Sequence, residues 1–197
     1  MAADDKNKVT VLKLRRQKRQ GTKTVLVTAY DYPQSRIADN AGVDAILVGD
    51  SLGMTTLGHK TTLPVTMDDM ILHCEAVSRG SKRAFLIGDM PYMSYQISNE
   101  EAVRNAGRFI CAGMDCVKVE GAQTERIKVM SHLGLTPHTR AKLGGYRVQG
   151  KTAKQAEIIL EQALKLQEAG CSFLLLEGMP RESAAMITKS LRIPVYG

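Results

Sequence analysis

Short, unbroken apolar runs recur along the chain, and most of them finish on a polar residue. They are TVLVTAY (24–30), DAILVG (44–49), RAFLIGD (83–89), MDCVKVEG (114–121) and SFLLLEG (172–178). Continuous runs of this length, without strict alternation, predict strands buried on both faces. Between them lie stretches with helical spacing at 33–41, 66–80, 98–113, 151–170 and 181–190. Thr66 is placed to cap the second of these helices and Gly80 to stop it. Ser98, three residues before Glu101, marks a capping box, and Gly170 marks a C-terminal cap. IKVMSH (127–132) reads as a fifth strand, which makes SFLLLEG the sixth, and RIPVYG reads as the start of a seventh. Strand and helix alternate throughout, so the pattern predicts a parallel sheet covered by helices. The repeated Ala-Gly junctions match the lower turns of a (β/α)8 barrel. A doubly wound sheet fits the same pattern.

In either architecture, functional groups gather at the C-terminal ends of the strands. Polar residues fall there repeatedly: Asp31, then Asp50 with Ser51, then Asp89. Lys118 and Glu120, His132, and Glu177 follow. AILVGDSLG (45–53) and AFLIGDMPY (84–92) both end a buried run on Gly-Asp. Two such aspartates are suited to a hard divalent cation, and equally to turn or cap roles. Lys118 and Glu120 share one side of a strand because the side-chain period is two. They serve either as a carboxylate-binding and water-orienting pair or as a structural ion pair. Glu177 ends a strongly apolar segment. It is read either as a general base with raised proton affinity or as a carboxylate bonded to loop amides.

Composition limits these readings without choosing among them. With 197 residues the chain is long enough for one sizeable domain, taken as residues 1–197 with a basic segment at 1–23. No apolar stretch approaches the ~18 residues of a membrane span, and the N-terminus lacks a signal-peptide core. Much of the +7 net charge sits in KLRRQKRQGTK (13–23), without the aromatic interleaving of a nucleic-acid surface. The expectation is therefore no membrane and no nucleic-acid partner. Cys74, Cys111, Cys116 and Cys171 form no CxxC pair and read as buried free thiols of a reducing, cytoplasmic compartment.

Other motifs exclude further chemistry. There is no HExxH, no GxGxxG and no Walker A loop. His132, in SHLGLTPH, is better suited to orienting a neighbour than to binding zinc. His73 reads as structural, and His59 as a loop residue.

Seven blocks carry a family likeness. They are TAYDYPQSRIADNAGVDAILVGDSLGM, GHKTTLPVTMDDM, IGDMPYMSY, GMDCVKVEG, SHLGLTPH, GGYRVQGK and LLLEGMP, in that order. From about residue 9 to residue 197 the chain resembles the 3-methyl-2-oxobutanoate (ketopantoate) hydroxymethyltransferase family. The resemblance implies a (β/α)8 TIM-type barrel. It implies transfer of a one-carbon unit from 5,10-methylenetetrahydrofolate to 3-methyl-2-oxobutanoate, forming 2-dehydropantoate in pantothenate and coenzyme A biosynthesis. It also implies Mg2+ or a similar divalent ion, and a large homo-oligomer, often a decamer. By the same resemblance Asp50, Asp89 and Glu120 associate with the metal. Asp50, Ser51, Asp89 and Lys118 contact the oxo acid, and Glu177 is the catalytic proton acceptor.

Two departures from that pattern stand out. Only 11 residues separate Glu120 from His132. A crossover helix and its strand need roughly ten more, so the barrel is expected to be shortened between strands 4 and 5, with QTERIK retaining at most a fragment of helix. The sequence given also reaches only a seventh strand, against eight in a complete barrel. Two other functions fit the same residues. One is another Mg-dependent lyase or aldolase acting on a 2-oxo acid, and the other is a catalytically incomplete structural homologue.

Overall fold

The computed structural model describes residues 7–121, 128–139 and 147–197. The chain packs as two compact units, residues 1–117 and 118–197.

In the first unit, Thr10 caps α1 (Val11–Arg19), so part of the basic segment is helical. Its Leu14 is buried, as is the preceding Val9, whose N–H bonds the carbonyl of Arg83 at 2.7 Å. Strand β1 (Leu26–Thr28) is shorter than its apolar run. The N–H of Val25 donates to the carboxylate of Asp44 instead of to a ladder partner. Asp31 caps α2 (Tyr32–Asn40) by accepting the N–H of Gln34 at 2.7 Å. Next come β2 (Ala45–Val48), the short α3 (Leu52–Thr55) and α4 (Met67–Gly80).

Helix α4 opens with a full capping box. The Thr66 hydroxyl accepts the N–H of Asp69, and the Asp69 carboxylate accepts the N–H of Thr66. The Thr66 hydroxyl also donates to Asp69 Oδ2 at 2.6 Å, and this bond, with the one from the Thr66 N–H, holds the Asp69 carboxyl below its usual range. Strand β3 (Phe85–Asp89) is buried along its length. Ser98 then caps α5 (Asn99–Cys111) by accepting the N–H of Glu101. β1, β2 and β3 pair in parallel, with Leu26 opposite Ala45 and Val48 opposite Gly88.

At the opposite end of these strands, Asp39 of α2 collects the chain entering β3. It accepts bonds from the Ser81 hydroxyl and from the N–H groups of Lys82, Arg83 and Ala84. Burial opposes ionisation there, but the N–H donors of Lys82 and Ala84, the Ser81 hydroxyl and the N–H of Arg83 outweigh it. The carboxyl is held below its ordinary range.

Strand β4 (Cys116–Glu120) reaches the second unit at Lys118. That unit contains β5 (Val129–Gly134), α6 (Ala153–Glu168), β6 (Phe173–Glu177), α7 (Arg181–Ser190) and β7 (Val195–Tyr196). Thr152 and Gln155 form a second capping box at the start of α6. β5, β6 and β7 are parallel, with His132 opposite Leu175 and Gly134 opposite Glu177. Leu166 of α6 and Ile187 of α7 share an apolar cluster with Leu174 and Leu176 of β6.

The strands form one seven-stranded sheet in chain order, β1 to β7. A doubly wound sheet must reverse its order at a switch point, and this one does not. The architecture is therefore of the (β/α) barrel type, with seven strands among the described residues. QTERI, the greater part of the expected helix fragment between strands 4 and 5, lies outside the described residues, as does GGY of GGYRVQGK.

Candidate active site

In the first unit, the ends of β2 and β3 bring Asp50 and Asp89 together. Both carboxylates are buried, at 4% and 2% exposure. The Asp50 N–H donates to Asp89 Oδ2 at 3.3 Å, which ties the two turns to each other. Ser51 Oγ lies 3.0 Å from the hydroxyl of Tyr30, just beyond β1. A Cβ on Gly49 would stand 2.8 Å from Ser51 Oγ and 3.8 Å from Asp89 Oδ2. Only glycine leaves that space open between the acid and the hydroxyl. Below it, burial and then the charges of Asp89 and Glu75 push the Cys74 thiol well above its ordinary range.

Gly88 serves a different purpose from Gly49. A Cβ there would meet the ring of buried Phe109. The second Gly-Asp pair thus owes its glycine to packing of α5 on β3, while the first owes its glycine to the polar cluster.

The donor set can hold a hard cation. Two buried carboxylates and a hydroxyl offer oxygen ligands, and the space beside Gly49 keeps the approach clear. Magnesium is commonly bound through one or two carboxylates, with water and substrate completing its shell. Among the described residues, no group of three or more His, Cys, Asp or Glu side chains is placed to ligate one ion.

In the second unit, β4, β5 and β6 contribute Glu120, His132 and Glu177. His132 is buried, with Nε2 3.3 Å from Glu177 Oε2 and Nδ1 3.9 Å from Glu120 Oε1. The second Glu120 oxygen accepts the N–H of His138 at 3.1 Å and stands 3.6 Å from its Nδ1. Glu120 is almost fully enclosed, whereas the Glu177 side chain is 48% exposed. A cavity of about 380 Å³ is lined by Glu120, His132, Gly134, Gln149 and Gln155, among others. Lys118 is buried at 5% exposure.

The structure thus sorts the polar groups expected at the strand ends. Asp31 is spent on capping α2, a local bond visible in the sequence as an Asp before Tyr-Pro-Gln. His73 is structural, as expected, with Nδ1 2.5 Å from the carbonyl oxygen of Tyr30. Glu177 is not enclosed by the apolar segment it ends, because the strand terminates there and its side chain reaches solvent. Tyr30 was passed over in the sequence. Its one signal is its place as the last residue of the first apolar run.

A sequential parallel sheet carrying acids and a histidine at strand ends defines a (β/α)-barrel class of enzyme. Residues 8–197 match the family model described as ketopantoate hydroxymethyltransferase, and the chain belongs to that family. It is 48% identical over 201 residues to the 3-methyl-2-oxobutanoate hydroxymethyltransferase of Thermoanaerobacter sp. (strain X514), covering 96% of this chain and 73% of that protein. The enzyme of the same name from Syntrophobacter fumaroxidans (strain DSM 10017 / MPOB) is 49% identical over 203 residues, covering 98% and 72%. Both aligned stretches exceed the 197 residues of this chain, so these relatives carry residues that it lacks within the match.

The fold is similar to a putative phosphonomutase from Burkholderia cenocepacia J2315. The TM-score is 0.71 at 14% identity, over 94% of this chain and 82% of that one. It is also similar to a phosphonopyruvate hydrolase solved in complex with oxalate and Mg++. There the TM-score is 0.64 at 12% identity, over 95% and 80%. Among the described residues, no helix is long and apolar enough to cross a membrane.

Proposed function

We propose that this chain transfers the one-carbon unit of 5,10-methylenetetrahydrofolate to 3-methyl-2-oxobutanoate, forming 2-dehydropantoate for pantothenate synthesis. The observation that carries this reading is the half-exposed Glu177 held 3.3 Å from buried His132. A general base must reach its substrate and must also be held in one orientation. Glu177 has the exposure, and His132 supplies the restraint.

Asp50 and Asp89 are the residues that would hold a divalent cation. Bound there, it would polarise the 2-oxo group and favour loss of the neighbouring C3 proton. Ser51 hydrogen-bonds the oxo acid, and Lys118 offers its charge to the carboxylate. Glu177 accepts the C3 proton. The resulting carbanion attacks the methylene carbon after one of its two C–N bonds to the folate has opened, and water then cleaves the second C–N bond, supplying the hydroxyl of the product and releasing tetrahydrofolate. The family resemblance also gives Glu120 to the metal, and in this chain its oxygens face His132 and His138. A cytoplasmic homo-oligomer belongs to the same reading.

The test is product analysis by NMR with Mg2+, 3-methyl-2-oxobutanoate and 5,10-methylenetetrahydrofolate. Formation of 2-dehydropantoate that requires the folate is expected. Folate-independent carbon–carbon cleavage of a branched 2-oxo acid would replace this reading with a lyase.

A further inference from the structure

Tyr30 is held at three points. Its N–H donates to Gln34 Oε1 at 3.0 Å, its carbonyl accepts from His73 Nδ1 at 2.5 Å, and its hydroxyl lies 3.0 Å from Ser51 Oγ. The first two bonds fix the backbone just beyond β1 to α2 and α4. The third carries that rigidity to the hydroxyl beside Asp50. Since a carbonyl only accepts, His73 Nδ1 carries the proton. Residues from two helices therefore aim one phenol at one serine.

The geometry points to Tyr30 as a positioning residue for Ser51, an inference that rests on the oxo-acid contact proposed above. An anionic oxo acid offers only acceptors, so Ser51 must donate its proton to the substrate. Its oxygen is then free to accept from the phenol. The chain Tyr30 O–H to Ser51 Oγ, then Ser51 O–H to substrate oxygen, polarises each bond in the same sense. It also removes the rotational freedom of the serine hydroxyl. The open space at Gly49 permits this orientation, since a Cβ there would stand 2.8 Å from Ser51 Oγ.

A double-mutant cycle read by calorimetric binding of 3-methyl-2-oxobutanoate to the Mg2+-loaded chain tests this. Ser51→Ala is expected to weaken binding about tenfold and Tyr30→Phe about three- to tenfold. The double variant should bind within about twofold of Ser51→Ala, because the phenol acts through the serine. Factors that multiply in the double variant would overturn the inference, and so would Tyr30→Phe binding like the unaltered chain. If Ser51→Ala has no effect, the proposed oxo-acid contact fails and this inference falls with it. Absence of binding by the unaltered chain has the same consequence. Should Tyr30→Phe unfold, Tyr30→3-fluorotyrosine replaces it. That more acidic phenol is expected to tighten binding, and unchanged affinity would overturn the inference.

Discussion

His132 Nε2 stands 3.3 Å from Glu177 Oε2, across a strand pair whose register sets His132 opposite Leu175 and Glu177 opposite Gly134. The other ring nitrogen faces Glu120 at 3.9 Å. The buried ring thus sits between two carboxylates, one enclosed and one half-exposed.

Replacing His132 should therefore affect proton transfer more than binding. His132→Asn is expected to slow exchange of the substrate's C3 proton roughly tenfold, since loss of orientation alone has effects of that size or larger. Affinity for 3-methyl-2-oxobutanoate should stay within about twofold. Exchange and affinity measured on the same variant separate the two effects. An equal loss in both would place His132 in substrate binding.

The two Gly-Asp pairs predict different defects. Gly88→Ala forces a methyl into the Phe109 ring and should cost about 1–3 kcal/mol in urea unfolding. Gly49→Ala instead presses on Ser51 Oγ, the end of a small side chain that can turn away. Its effect should be severalfold weaker oxo-acid binding, with a smaller loss of stability. Calorimetry and denaturation on both variants check this split.

That difference also marks how far the sequence could be read. The apolar runs located the strands; β2 and β3 are buried throughout, as an uninterrupted pattern implies, whereas β1 is only half-buried with Thr28 exposed. The likeness of VGDS to IGDM hid a division of labour, since the contact that explains Gly88 comes from Phe109, which is remote in sequence. Asp31 falls at a strand end, yet the Asp-Tyr-Pro-Gln run also carries the signature of the helix cap that it forms. The Glu120, His132 and Glu177 grouping depends on strand register, and no local spacing encodes it. Strand order separated the barrel type from the doubly wound alternative, which periodicity alone left open.

Asp39 makes a pH-dependent contribution to stability at the end of the strands away from the candidate site. Its folded carboxyl is held below the ordinary range, so its contribution is complete above the unfolded value of about 3.9. It is lost as pH falls through the lower folded value. Asp39→Asn should cost about 1 kcal/mol at pH 7, because the side chain is only half-buried and its bonds are partly screened. The difference from the unaltered chain should shrink below about pH 4. Urea unfolding at several pH values measures it, and a constant difference would contradict the carboxylate's role.

The central claim is that Glu177 accepts the C3 proton of 3-methyl-2-oxobutanoate. The most direct measurement is NMR-detected exchange of that proton in D2O with Mg2+, without folate, for the unaltered chain and for Glu177→Gln. The account predicts steady exchange by the unaltered chain. It predicts a fall of at least about 100-fold in Glu177→Gln, the lower range for a general base, with oxo-acid affinity retained. Undiminished exchange in the folded Glu177→Gln variant would contradict it.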